Sequence, residues 1–292
     1  MEEKKNRYKG ILFIIMSAFC FALMNAFVRM AGDLPSTQKS FFRNLVALFF
    51  ALVLLKKEGG RFSGKKENIK YLLIRSGAGT IGILCNYYAV DHLILSDASM
   101  LNKMSPFFVI IFSIFVLKEK ISLKQLSIVV GAFLGSLLIL RPGGTSLISI
   151  PAVIGLCGGM AAGLAYTYVR VLGEHGENGK FVVACFSGFS CLVTVPFLLF
   201  DYHPMSFLQF GSLMMAGLAA AGGQFSVTAA YYHAPGREIS VYDYSQILFS
   251  AALGFLFFGQ IPDVLSWVGY GIICGMAVLM FFYNKKELRT PG

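Results

Sequence analysis

Apolar residues run along this chain in blocks of about twenty, separated by short polar clusters. A helix needs about 20 mostly apolar residues to span the hydrocarbon of a bilayer. Blocks of that kind fall at approximately 9–31, 36–56, 68–92, 96–117, 122–141, 150–172, 178–199, 205–232, 238–258 and 263–283. Each predicts a transmembrane helix. The seventh and eighth are separated only by Asp201, Tyr202, His203 and Pro204. Small residues recur inside the blocks, as at Gly155, Gly158 and Gly159 and again at Gly217, Gly222 and Gly223. Such stretches let membrane helices approach closely. The connecting segments are too short to fold alone, so the fold class expected is an all-α integral membrane protein with no soluble domain.

Composition agrees with the pattern. Of 292 residues 56% are apolar and only 14% charged, and the mean hydropathy is +0.68. Soluble domains carry about 25% charged residues, so a soluble enzyme, a disordered chain and a nucleic-acid-binding module are excluded. The net charge of +10 sits beside the apolar blocks. Lys56, Lys57, Arg61, Lys65, Lys66 and Lys70 occupy one connection, Lys118, Lys120 and Lys124 the next but one, then Lys180, then Arg237. Lys4, Lys5, Arg7 and Lys9 at one end and Lys285, Lys286 and Arg289 at the other share that side, whereas the opposite connections hold little beyond Lys39 and Arg141. The positive-inside rule places both termini in the cytoplasm, which requires an even number of spans; ten satisfies it. The first apolar block is too long for a signal peptide and reads as a retained helix. All six cysteines lie inside apolar blocks at no metal-ligand spacing, as small buried hydrophobes do. No metal site and no cofactor is expected.

The chain also repeats at a spacing of 141 residues. Val28 and Arg29 recur as Val169 and Arg170, Leu23 as Leu164, and Lys39 as Lys180, while Leu117, Lys118 and Glu119 correspond to Phe258, Gly259 and Gln260. Five spans per copy is an odd number, so the copies (1–145 and 146–292) take opposite orientations. Inverted repeats are a recurrent plan of secondary transporters, whose substrate site lies near the midplane where the halves meet.

The stretch Ala98, Ser99, Met100, Leu101, Asn102, Lys103, Met104, Ser105, Pro106, Phe107, Phe108, followed by Leu117, Lys118 and Glu119, resembles the drug/metabolite transporter superfamily in its ten-helix EamA-type branch. Ala234, Pro235, Ser240 and Tyr244, then Phe257, Phe258, Gly259 and Gln260, look like the matching copy, with Gln260 where a Glu is typical. The resemblance spans essentially the whole chain. It implies a 5+5 bundle with a central cavity lined mainly by spans 1, 3, 4, 6, 8 and 9, and it names no substrate.

Ionisable groups within the bilayer are expensive and therefore functional candidates unless they reach the interface or pair. Arg29, Arg75 and Arg170 lie within about two turns of a span end and are expected to snorkel. Lys103 and Arg43 lie deeper, roughly 10 Å inside at 1.5 Å per residue. Pro106, expected in mid-helix, removes the partner of the carbonyl at Asn102, a polar feature tolerated where backbone lines a cavity. The repeat sets Asp243 opposite Asn102 and Tyr244 opposite Lys103, which makes Asp243 a partner for Lys103 across the pseudo-two-fold axis, either as a structural latch or as a gate. Tyr166, Gln246, Asn25 and Gln224 also lie deep, where interhelical bonding competes with ligand contact. Tyr87, with Tyr88, Tyr231 and Tyr232, sits near span ends, where belt anchoring is the ordinary use of Tyr; Tyr87 is kept as a substrate-contact candidate.

These residues suit a secondary transporter of a small polar or amphipathic metabolite, working by alternating access in the bacterial cytoplasmic membrane. An amino-acid-like zwitterion is favoured, with cations for its carboxylate and an acid and aromatics for its amine. The alternative is an anionic phosphorylated metabolite or nucleotide derivative. Protons or a counter-substrate would drive transport, and a monomer is the simplest state. The nucleophile and metal motifs of intramembrane proteases are missing from the spans, so an enzyme is not expected.

Overall fold

The computed structural model describes residues 2–57, 64–92, 101–140, 149–259 and 261–287. Residues 98–100 of the motif, Arg61, Arg141, Gln260 and Arg289 lie outside them. Among the described residues there are helices and no strands, as expected where no water is present to satisfy open backbone groups. Among the described residues ten helices have 12 or more residues: α1 Glu2–Met30, α2 Ser36–Lys57, α3 Ile69–His92, α4 Ser105–Val116, α5 Leu123–Leu140, α6 Ile150–Glu174, α7 Gly179–Phe200, α8 Phe207–His233, α9 Ser245–Phe258 and α10 Val264–Glu287. Seven helical segments are long and apolar enough to cross a membrane, and 105–116 and 123–139 are shorter apolar helices. The chain is a multi-pass membrane protein.

Helix starts carry their own signals. Ser206 and Gln209 close a capping box on α8, and the Asn178 side chain accepts from the first amides of α7, satisfying donors that have no partner within the helix. The ninth span runs Gly236–Phe258, and within it a short helix Gly236–Ile239 and a 3-10 segment Ser240–Tyr244 precede α9. One expectation is corrected: Pro106 is not in mid-helix. The chain is helical at Leu101 and Asn102, turns at Lys103 and Met104, and restarts at Ser105. Pro106 therefore sits in the first turn of α4, where a missing N–H costs nothing. The helical geometry is thus interrupted at Lys103–Met104 in one half and at Ser240–Tyr244 in the other, and Lys103 and Tyr244 are related by the 141-residue spacing.

The packing has a matching symmetry. α1 packs on α8 as α6 packs on α3, α1 on α9 as α6 on α4, and α2 on α8 as α7 on α3, while α2–α7 and α5–α10 pair directly. Glycines permit a close crossing between α3 and α6. A Cβ on Gly82 would lie 3.3 Å from the Gly158 carbonyl oxygen, and one on Gly158 would lie 3.3 Å from that of Gly82. Side-chain bonds gather the Lys- and Arg-rich connections at one end. Arg7 donates to the Asn284 carbonyl and to Glu238 (both 2.7 Å), the Arg237 guanidinium reaches the Lys120 carbonyl, and the Tyr283 hydroxyl meets Ser122. Asn68 donates to Glu177 (2.8 Å). At the opposite end Gln38 exchanges two bonds with the His203 backbone.

Candidate functional site

The two interruptions face each other across the middle of the bundle and are laced together. Lys103 Nζ donates to Asp243 Oδ2 at 3.0 Å and to Gln246 Oε1 at 2.7 Å, and the Tyr244 hydroxyl donates to the Lys103 carbonyl at 3.1 Å. These bonds make a polar contact between the two segments. Beside them lies a cavity of about 150 Å³.

Of the ten candidate residues, nine line this cavity: Asn25 from α1, Arg43 from α2, Tyr87 from α3, Asn102 and Lys103 from the first interruption, Tyr166 from α6, Gln224 from α8, Asp243 from the second interruption and Gln246 from α9. Tyr244 is fully buried behind the wall and braces the first interruption through its hydroxyl. The lining follows the internal repeat. Phe21 and Ala162, Met24 and Ala165, Asn25 and Tyr166, Ile83 and Gln224, Asn102 and Asp243, and Ser105 and Gln246 all line it, and each pair is 141 positions apart. Spans 1, 3, 4, 6, 8 and 9 supply most of the surface, joined by Arg43 of α2 and Phe186 of α7.

Arg75 overturns a sequence expectation. It does not snorkel; it is 1% exposed and lines the cavity. Its guanidinium lies 4.2 Å over the Phe186 ring and donates to Gln224 Oε1 at 3.1 Å. Depth along a helix does not report which way a side chain turns about the axis, and α3 turns Arg75 toward α7 and α8. A signal existed: Arg75, Gly79, Gly82 and Asn86 recur at steps of three and four, and all line the cavity. Gly79 is what admits the guanidinium, since a Cβ there would lie 2.7 Å from the Phe186 ring and would collide with Arg75. Tyr231 departs from belt anchoring too, being buried and stacked on Tyr166 with ring centroids 5.5 Å apart. Arg29 is exposed and packs over Phe258. Arg170 is only half-buried, bonding the Tyr231 and Tyr232 carbonyls and Glu174.

Electrostatically the lining holds three cations, Arg43, Arg75 and Lys103, against one carboxylate, Asp243. Among the described residues no group of three His, Cys, Asp or Glu side chains is placed to hold a metal ion. Rings, amides and opposed charges enclosed within a multi-pass helical bundle provide a place for a small solute to rest between the two faces of a membrane. That is the architecture of a membrane transport protein.

Comparison with known proteins agrees. Residues 8–141 match the EamA-like transporter family. The chain is 32% identical over 279 residues to the pseudopaline exporter CntI of Pseudomonas aeruginosa (strain UCBPP-PA14), covering 95% of this chain and 97% of that protein. It is 25% identical over 305 residues to the riboflavin transporter of Vibrio cholerae, covering 99% and 98%. One solved crystal structure superposes with a TM-score of 0.83 over 96% of this chain and 99% of that chain; at 11% identity the likeness shows the fold alone. The chain belongs to the EamA-like transporter family. It is a membrane transporter, not an enzyme.

Proposed function

We propose that this chain is a secondary transporter that moves a small polar or amphipathic metabolite by alternating access across a bacterial cytoplasmic membrane. In this reading residues 1–145 and 146–292 are inverted five-helix repeats with both termini cytoplasmic. The observation that carries it is the cavity, formed where the two interrupted segments meet and lined by residues that pair at the repeat spacing. Interrupted helices at a repeat interface are where secondary transporters build their sites. The exchange of helix contacts between the halves supports the inverted topology. The gathering of basic connections at one end supports the orientation.

The cavity is smaller than the roughly 300 Å³ at which drug-sized sites begin. In this reading its walls part further to admit or release a solute. Pseudo-symmetric halves provide two comparable ways to do so, one toward each face. The relation to the pseudopaline exporter favours outward movement. An amino-acid-like zwitterion fits the mixture of cations, Asp243 and tyrosines. The excess of cations over acids favours the second reading, an anionic phosphorylated metabolite.

The test is thermal melting of the purified protein in detergent against amino acids, quaternary amines, nucleotides and sugar phosphates, for wild type and Lys103→Ala. A ligand at about 100 times its dissociation constant stabilises by ~2.7 kcal/mol. Shifts with amino acids that vanish in Lys103→Ala support the zwitterion, and shifts confined to phosphates support the second reading. Equal shifts in both proteins would remove Lys103 from the site. If the whole panel leaves melting unchanged and proteoliposomes show no counterflow, the transporter reading fails for these substrate classes.

A further inference from the structure

We infer that Arg43 and Arg75 form an anion-binding subsite, and that the transported solute carries at least two negative charges, as two carboxylates or as one phosphate monoester. This rests on the transporter reading and names the substrate class of the same cavity. Both arginines are almost fully buried, Arg43 at 6% and Arg75 at 1% exposed, and both line the cavity. Among the described residues neither is in an ion pair, and the Nε of each is buried without a hydrogen-bond acceptor. Arg75 is held by a neutral amide, Gln224, and by the Phe186 ring. These fix its direction and leave its charge uncompensated. The one carboxylate in the lining, Asp243, is committed to Lys103.

A guanidinium left without an anion inside a membrane costs several kcal/mol. Snorkelling would remove that cost, but these two side chains are turned inward. Packing around Gly79 and Phe186 holds Arg75 in place before any solute arrives, so little ordering remains to be done on binding. The guanidinium fork matches the spacing of carboxylate and phosphate oxygens, which a point-like ammonium does not. The charge count then selects the solute. With Lys103 and Asp243 cancelling, Arg43 and Arg75 leave an excess of two positive charges. A zwitterion with one carboxylate and one ammonium does not change that excess, whereas a dianion removes it.

The test uses the full-length purified protein in detergent, with binding measured calorimetrically for succinate, glutarate, glycerol 3-phosphate, alanine and putrescine. Wild type is expected to bind a dicarboxylate or the phosphate monoester at least tenfold more tightly than alanine, and which of the two it prefers identifies the source of the charge. Arg43→Gln should weaken that dianion by roughly thirtyfold or more, because one partner of a desolvated charge pair is lost. Arg43→Lys should recover part of the affinity, since charge returns without the fork. Melting of the unliganded protein provides a readout independent of any probe. Arg43→Gln should melt at or above wild type, because it removes an uncompensated buried charge. A fall of several degrees would make Arg43 structural and overturn the subsite. So would tighter binding of alanine or putrescine, no binding by any dianion, or dianion affinity unchanged in Arg43→Gln. Counterflow in proteoliposomes separates the two readings. Alanine or putrescine carried equally by wild type and Arg43→Gln leaves a transporter without the subsite, while dianions bound through Arg43 but never carried leave the subsite without transport.

Discussion

Replacing Lys103 by Met tests the contact that joins the two helix interruptions. Lys103 Nζ and Asp243 Oδ2 stand 3.0 Å apart, and their side chains are 9% and 16% exposed. At that distance, with an effective dielectric constant near 20, the attraction is about 5 to 6 kcal/mol before desolvation is counted. Removing one partner of a fully buried pair costs about 3–5 kcal/mol. Asp243 keeps some contact with the cavity, so the expected loss for Lys103→Met is about 2–3 kcal/mol, together with the loss of the donor to Gln246. For a chain of this size that corresponds to a fall in melting temperature of about 5 °C. The pair is tested by a double-mutant cycle with Asp243→Asn, melted at one scan rate in one detergent. The double variant should be about 2 kcal/mol more stable than the sum of the single losses predicts, because the two neutral side chains leave no lone charge. Single effects that add to within about 0.5 kcal/mol would show that the two groups are not coupled and would refute the account of the interruptions as laced together by charge.

Two further predictions concern other parts of the bundle. Gly79→Ala places a Cβ 2.7 Å from the Phe186 ring and against the Arg75 guanidinium, and overpacking of this kind costs about 1–3 kcal/mol; melting should fall by a few degrees, and an unchanged melting temperature would mean that Arg75 has room to move. Glu119, in the connection after α4, has a buried oxygen without a hydrogen-bond partner, and burial raises its carboxyl above the ordinary value, with Arg237 and Arg170 opposing the shift. The native state then binds the proton more tightly than the unfolded chain, so stability is lost as pH rises above the ordinary carboxyl value of 4.5. Glu119→Gln should therefore melt higher than wild type at pH 8, with a lead that shrinks toward pH 4.5; a lead that is constant or reversed would contradict the burial argument.

Much of the molecule was legible in one dimension. Eight of the ten apolar blocks begin within two residues of a helix start, because span length is dictated by bilayer thickness; the first helix starts earlier, at Glu2, and the start of the block at 96 lies outside the described residues. The 141-residue spacing, read from pairs such as Val28 and Val169, also organises the cavity lining. It set Asp243 opposite the Asn102–Lys103 stretch, and the two charges meet there. The ninth span stands as Gly236–Phe258, but its passage through 3-10 geometry at Ser240–Tyr244 was not legible, because hydropathy does not report local helix geometry. The same limit applied to Pro106, which reads as a kink wherever the helix is taken to begin.

What the amino-acid sequence determined by itself was therefore the membrane and the helices, since each follows from how much apolar surface a segment carries and where its charges fall. Tertiary structure alone decided which way the side chains turn. Arg75 and Arg29 look alike by depth, yet one is enclosed against Phe186 and Gln224 while the other stays exposed beside Phe258. Rotation of a helix about its axis is set by the neighbours it packs against, and those neighbours come from segments more than a hundred residues away.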